Sequence, residues 1–215
     1  MKRLCFGFLT AFAVAMLVGS QAHANLLANP SFEQPITQDG PPFVGLWEGF
    51  NGGAGSSAAN GTTMPRTGLQ ELDLAIDGVN NTFAGAFQDV PGLTPGSPVI
   101  FSGYHKKGTD PADVGIEIRI EWRNSVSNTE VGRTPNLTDA PGDDYVLFSL
   151  PSVVPANADT ARVVYAIQTF GGEPGPTNSG LVLIDDVSFV VPEPSTLLLL
   201  GMITTGLACI YRRRA

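Results

Sequence analysis

The middle of this 215-residue chain predicts an all-β domain, an antiparallel β-sandwich of jelly-roll type. Three observations carry that expectation. Residues 114–123 alternate strictly between apolar and polar side chains, six further apolar segments are separated by turn residues, and no run shows helical spacing. The 25 glycines and 17 prolines suit the same class, because short strands need many tight turns and proline is tolerated only in loops, at strand ends and on sheet edges.

The clearest strand sets Val114, Ile116, Ile118, Ile120 and Trp122 against Gly115, Glu117, Arg119, Glu121 and Arg123. Period two with one apolar face requires a half-buried strand, which marks an antiparallel sheet rather than a parallel one. Trp122 shares the apolar face and reads as core, and the alternating charges read as a solvated face. Weaker strands are expected at 69–76, 83–90, 98–104, 145–150, 161–170 and 181–190, each bounded by glycine, proline, asparagine or aspartate, with short strands also before Gly61. The small-residue stretches 52–63 and 171–180 read either as plain connections or as the rim of a binding edge.

Both ends of the chain are of a different character. Lys2 and Arg3, an apolar run from Leu4 to Val18 and the small-x-small triplet Ala22-His23-Ala24 have the order of a secretory signal peptide spanning 1–24, an N-terminal helix removed on export. At the other end, Pro192-Glu193-Pro194-Ser195 precedes 16 uncharged residues, Thr196 to Tyr211, and then Arg212, Arg213 and Arg214. As a helix, that span rises about 24 Å at 1.5 Å per residue, just short of a hydrocarbon core, and the arginines would hold its end on the cytoplasmic side. Residues 192–215 are therefore expected to be a transmembrane anchor segment and 25–191 a single domain.

The domain's composition excludes several chemistries. Cys5 and Cys209 both lie in the end segments, so the domain has no disulfide, no catalytic thiol and no thiolate metal site. His105 is its one histidine. A multi-histidine metal site is thereby excluded, and in the patch Tyr104-His105-Lys106-Lys107 a solvated loop residue is the expected reading rather than a triad member. The chain carries a net −8, and five of its 12 basic residues sit in the ends (Lys2, Arg3, Arg212, Arg213, Arg214), leaving the middle more acidic still. Nucleic acid is not expected as a partner; the acidity reads as a solvated surface or, alternatively, as an oxygen-rich metal face.

The last 25 residues, VPEPSTLLLLGMITTGLACIYRRRA, resemble the PEP-CTERM sorting signal, with its Pro-Glu-Pro motif, short apolar span and terminal basic cluster. That resemblance implies recognition by an exosortase in the envelope of a Gram-negative bacterium that makes extracellular polysaccharide. The tail would hold the protein transiently in the inner membrane and deliver it to the cell surface or matrix.

The domain's own ends carry a second resemblance. Asn25-Leu26-Leu27-Ala28-Asn29-Pro30-Ser31-Phe32-Glu33, Leu183-Ile184-Asp185-Asp186-Val187-Ser188-Phe189, and Gly92-Leu93-Thr94-Pro95-Gly96 before a middle strand are similar to the galactose-binding-like jelly rolls, which include xylan- and glucan-binding modules. The family implies that first and last strands lie together around a structural calcium, with Glu33 and Asp185 as ligands. Strand parity places Asp185 on one face with Leu183, Val187 and Phe189, where a carboxylate needs a metal or another partner. Asp73, two residues from Glu71, is a possible third oxygen donor. The alternative reading has Asp185 capping a backbone amide or pairing with an arginine.

A sugar site needs aromatic faces for the apolar C–H faces of the ring and polar groups for its hydroxyls. Trp47, Phe50 and Tyr104 are the candidates, with Trp47 equally readable as core. The expected function is a noncatalytic surface or matrix protein that associates with extracellular polysaccharide. The alternatives are a purely structural component without a sugar site, and a polysaccharide-degrading enzyme, for which Glu117 and Glu121 offer no pair at catalytic separation.

Overall fold

The computed structural model describes residues 24–109, 112–172 and 177–192. Ten strands form two five-stranded antiparallel sheets. Glu48–Asn51 (β1), Phe83–Pro91 (β4), Thr160–Gln168 (β9), Gly115–Asn124 (β6) and Thr129–Arg133 (β7) make the first, in the order β1-β4-β9-β6-β7. Ser56–Gly61 (β2), Glu71–Ile76 (β3), Gly180–Val190 (β10), Pro98–Lys107 (β5) and Val146–Val153 (β8) make the second, in the order β2-β3-β10-β5-β8. The one helical element among the described residues is a 3₁₀ turn at Phe170–Gly172, so none there is long and apolar enough to cross a membrane. The signal segment 1–23, the span 196–211 and Arg212 to Arg214 lie outside the described residues.

The inner faces of the sheets supply the core. Ile116, Ile118, Ile120 and Trp122 of β6 and Ala161, Val163, Tyr165 and Ile167 of β9 face Leu72, Leu74 and Ile76 of β3 and Val99 and Phe101 of β5. Each large aliphatic or aromatic side chain so buried contributes about 1.5–3 kcal/mol. The whole cluster falls between Leu27 and Val191, and Asn25–Val191 forms a compact unit by itself.

Several expectations are revised. β7, with the sequence TEVGR, has no apolar alternation because it is an edge strand with no inward-facing row to fill. Half of the supposed connection 52–63 is β2, an edge strand of small residues paired to β3. His105 is not a solvated loop residue: it is 1% exposed on the core side of β5, its Nδ1 2.7 Å from the Tyr165 hydroxyl. Burial lowers its pKa to about 4, with Asp139 acting weakly the other way.

The chain's first and last segments run side by side. The Leu26 N–H donates to the Phe189 carbonyl at 2.9 Å, and the Val187 N–H donates to the Pro30 carbonyl at 2.9 Å. β10 is bulged there. Asp186 adopts φ +48°, and the register with β5 shifts between Asp185 and Ser188. An extra residue reverses parity along a strand. Val182 and Ile184 point into the core before the bulge, and Val187 and Phe189 do so after it. Asp185 therefore shares its side with Leu183 but not with Val187 or Phe189. It lies on the outer side of the second sheet, opposite Tyr104 of β5, rather than against the apolar layer.

Candidate functional site: the two outer faces of the sandwich

The outer face of the first sheet carries a row of phenylalanines. Phe43 contacts Phe87 with ring centroids 4.8 Å apart, Phe87 contacts Phe50 at 5.9 Å, Phe50 contacts Phe83 at 5.9 Å, and Phe83 contacts Phe170 at 6.2 Å. β4 builds the row. Its residues Phe83, Gly85, Phe87 and Asp89 point outward, while Ala84, Ala86 and Val90 point into the core. Gly85 is required at the centre, because a Cβ there would stand 2.3 Å from the Phe50 Cζ and 2.8 Å from the Tyr165 carbonyl oxygen. Phe50 thus lies flat on the sheet over its β4 partner.

Charged groups border this row. Asp89 grips Arg162 of β9 through two bonds of 2.7 and 2.9 Å, and the guanidinium carbon of Arg162 stands 4.0 Å from the Phe87 ring centroid and 4.9 Å from that of Phe43. On β6, Arg119 bonds Glu117 at 3.0 Å and Glu121 at 2.9 Å. Arg133 of β7 bonds Glu130 at 2.7 and 2.8 Å, which holds the Glu130 carboxyl below its usual range. An aromatic strip beside a planar, fixed guanidinium is an arrangement that meets both the apolar faces and the hydroxyls of a sugar. Glu117 and Glu121 are both tied to the same Arg119, one guanidinium shared by two carboxylates.

The outer face of the second sheet is built differently. A loop, residues 62–70, lies over it and is held by three carboxylates, each accepting a pair of backbone amides. Glu71 Oε1 takes the N–H groups of Thr63 and Met64 (3.0 and 2.9 Å), Asp185 Oδ2 those of Arg66 and Thr67 (2.8 and 3.0 Å), and Glu33 Oε1 those of Leu69 and Gln70 (2.9 and 3.1 Å). Asp185 Oδ1 accepts the Asp186 N–H as well. Asp186 in turn accepts the hydroxyls of Ser31 and Thr67 and pairs with Arg66. Burial raises the Asp185 carboxyl and its amide bonds oppose that rise; at Asp186 the hydroxyls and Arg66 outweigh burial and hold it below the usual range.

The sugar candidates read from the sequence fall in three places. Trp47 is 3% exposed, tilted against Phe32 with ring centroids 5.0 Å apart, and its indole N–H is spent on the Ala28 and Asn29 carbonyls, so it is core and offers no ring face. Tyr104 is on the second sheet's outer face, and the Arg66 guanidinium covers its ring at 3.5 Å from the centroid. Phe50 lies in the phenylalanine row. The sequence reading missed Phe43, Phe83, Phe87, Phe170 and Arg162; the signal available was that β4 puts bulky residues on one parity and alanines on the other, which inverts when alanine faces a crowded core.

The residues of the calcium set expected from the resemblance have these places. Glu33 and Asp185 serve the covering loop as amide acceptors, and Asp73 stands on β3. Among the described residues no three aspartate, glutamate, histidine or cysteine side chains converge on a metal-sized site. Pro192 of the sorting motif ends the described residues, and Glu193 and Pro194 lie outside them.

Comparison with known proteins agrees with both halves of this picture. Residues 190–215 match the PEP-CTERM protein-sorting motif. No curated protein matches the chain. Among solved structures, the CBM22-1 xylan-binding domain of Paenibacillus barcinonensis Xyn10C is similar at 16% identity and a TM-score of 0.54, covering 82% of this chain and 100% of that one. A structure described as "CBM4 structure and function" is similar at 19% identity and a TM-score of 0.51, covering 77% and 99%. The enzymatically active domain of bacteriophage CBA120 tailspike protein 4 reaches a TM-score of 0.59 at 16% identity, covering 78% of this chain but only 21% of the tailspike chain. Residues 190–215 carry a PEP-CTERM sorting motif, and the domain before them is a two-sheet sandwich whose fold is similar to that of solved carbohydrate-binding modules.

Proposed function

We propose that this chain is an exported, noncatalytic surface or matrix protein whose jelly roll binds extracellular polysaccharide on the outer face of its first sheet. Removal of residues 1–24 releases the mature N-terminus, and an exosortase acts at Pro192-Glu193-Pro194 while the apolar span and Arg212, Arg213 and Arg214 hold the tail in the inner membrane of a Gram-negative envelope. The order of these elements along the chain supports this part, and the intact mass of the surface form tests it.

One observation carries the binding part: the continuous row Phe43–Phe87–Phe50–Phe83–Phe170 beside the fixed Arg162. Pyranose rings stack on such a strip through their C–H faces, and the guanidinium donates to hydroxyls. Phenylalanine carries no polar tip, so discrimination between sugars falls to Arg162 and to the Glu117–Arg119–Glu121 lattice beside it. The engagement of both Glu117 and Glu121 by the one Arg119 supports a noncatalytic role.

Residues 25–191 contain the whole core and suffice for the experiment. A glycan array that includes xylan, followed by affinity measurement on the best ligand, should show binding that falls at least tenfold in Phe87→Ala and Phe50→Ala and persists in Tyr104→Ala. An array on which no glycan is bound would leave a purely structural component as the reading, and equal binding by the phenylalanine variants would move the site off the first sheet's outer face.

A further inference from the structure

The 62–70 loop covers only part of the second sheet's outer face. Beyond Tyr104, toward the end where β10 finishes, the register sets Ser188, Ser102 and Ser149 side by side across β10, β5 and β8, and then Val190, Ile100 and Pro151. These residues face outward, because Val99, Phe101 and Phe189 at the alternate positions are core. On one margin Leu26, whose N–H bonds the Phe189 carbonyl, is 43% exposed; on the other Val153, opposite Pro98, is 56% exposed. No charged side chain stands in these rows.

The same end of the sandwich is poor in charge, although the chain carries a net −8. The connections 92–97, 125–128 and 154–159 meet there and hold one ionisable side chain, Asp159, whose carboxylate accepts the Ser125 N–H and the hydroxyls of Ser125 and Thr160. The connections at the opposite end carry Asp77, Asp113, Asp139, Asp143 and Asp144. Pro151 removes an N–H from the edge strand β8, so this margin offers no unbroken ladder to a strand of another molecule.

The chain leaves the domain beside this face. β10 ends at Val190, and the uncharged span begins at Thr196, five residues after Val191. Five residues reach at most about 18 Å fully extended, of which lipid headgroups occupy roughly 5–7 Å. We propose that, while the tail is anchored, the uncovered part of the second sheet's outer face rests on the surface of the lipid bilayer. The proposal depends on the anchoring half of the function proposed above and not on its glycan half. Apolar side chains beside serine hydroxyls suit the boundary between headgroups and acyl chains. An anionic leaflet repels an acidic domain, and a face without carboxylates approaches it with the least repulsion. The face also lacks a lysine or arginine cluster to hold such a leaflet, so contact depends on the tether, which sets a local concentration on the order of millimolar. Cutting the tail at Pro192-Glu193-Pro194 then frees the domain from the bilayer as well as from the anchor. The phenylalanine row, on the opposite sheet, points away from the membrane throughout.

The test reconstitutes residues 25–215, with Cys209→Ser and Ser149→Cys and a fluorophore on the new thiol, into vesicles of equal parts phosphatidylcholine and phosphatidylglycerol. Flotation reports anchoring, and quenching by nitroxide-bearing lipid reports contact. Emission at Ser149→Cys should fall at least twofold, whereas the same label on Asp77→Cys, at the opposite end, should be unchanged. Residues 25–191 bearing Ser149→Cys should show no quenching with these vesicles. Leu26→Glu combined with Val153→Glu, both at exposed positions outside the core, should leave flotation intact and abolish the quenching. A chain that does not float overturns the anchoring and this proposal together. A chain that floats with equal emission at the two labelled positions, or whose quenching survives the two glutamates, overturns this proposal alone.

Discussion

The two outer faces of this sandwich come from the same kind of sheet and the same kind of core, yet they solve opposite problems. The first is open, with a row of half-buried rings ending in the exposed Phe170 beside ion-paired arginines. The second is roofed by a loop and acidic beneath it, with carboxylates turned inward on backbone amides. The difference lies in what each carboxylate faces. Asp89, Glu117 and Glu121 meet guanidinium groups, one of which, Arg162, lies over the Phe87 and Phe43 rings and leaves Phe50, Phe83 and Phe170 without such a cover, while Glu33, Glu71 and Asp185 meet N–H groups and spend themselves on chain conformation. The proposed recognition uses the first arrangement, and the second holds a loop in place.

The contrast breaks most sharply at Asp185. This one fully buried side chain accepts three backbone amides, two of them from a loop that begins more than a hundred residues earlier in sequence. Hydrogen bonds to a charged group contribute about 1.5–3 kcal/mol each, and removing the acceptor also leaves buried donors unmet. Asp185→Ala should therefore cost about 3–5 kcal/mol in urea unfolding, against about 1 kcal/mol for the half-exposed Phe87→Ala, with glycan affinity reversed in order between the two. A loss below 1 kcal/mol at Asp185 would mean the loop is not held from beneath.

A smaller effect comes from between the sheets. The His105 pKa is depressed from 6.5 to about 4, chiefly by burial, so the folded state disfavours its protonation. A depressed histidine contributes nothing above its unfolded pKa and destabilises as pH falls from about 6.5 through 4, by up to roughly 3 kcal/mol. Asp73, raised to about 6 by burial and then by Glu71, acts with the opposite sign over much of that window. The measurement is therefore made in Asp73→Asn, where stability between pH 7 and 4 should fall, and should fall less when His105→Phe is added. Parallel pH profiles with and without His105 would show that the ring is not held neutral by the core.

Most of the architecture was legible because apolar alternation reports burial directly. The seven strands read from the sequence reappear as β3, β4, β5, β6, β8, β9 and β10, with no end displaced by more than three residues. The edge strands β1, β2 and β7 were vague or missed because they bury little and so carry little pattern. Parity misled at Asp185, and the faces of β4 were not read at all, each for a physical reason. In β10 the extra residue at Asp186 turned Asp185 outward, and a bulge stabilised by tertiary hydrogen bonds leaves no local mark beyond an Asp-Asp pair. In β4 the phenylalanines lie outside because the inward positions meet a core already filled from the opposite sheet, a volume constraint that one strand's sequence does not contain. Trp47 and Tyr104 looked like platforms by residue type alone, and only their neighbours, Phe32 for one and Arg66 for the other, decide that their faces are taken.

The subtlest probe of the open face is Arg162→Lys, which keeps the charge and removes the plane. Arg162 does two things at once: its Nε and Nη2 bond both oxygens of Asp89, and the same guanidinium stacks on Phe87 and Phe43. A lysine ammonium is a point donor that can follow Asp89 or sit over a ring, but it has no fork to fix the one while stacking on the other. The ion pair is partly exposed, so its loss should cost no more than about 1 kcal/mol of stability. Glycan affinity should fall a few-fold, less than in Phe87→Ala, because the rings remain and only their alignment and one set of hydroxyl donors are loosened. Adding Arg162→Lys to Phe87→Ala should then cost less than it does alone, since the stack it supports is already gone. Full additivity of the two changes in a double-mutant cycle would show that Arg162 and the phenylalanine row act separately, and the open face would have to be redrawn as two neighbouring surfaces rather than one.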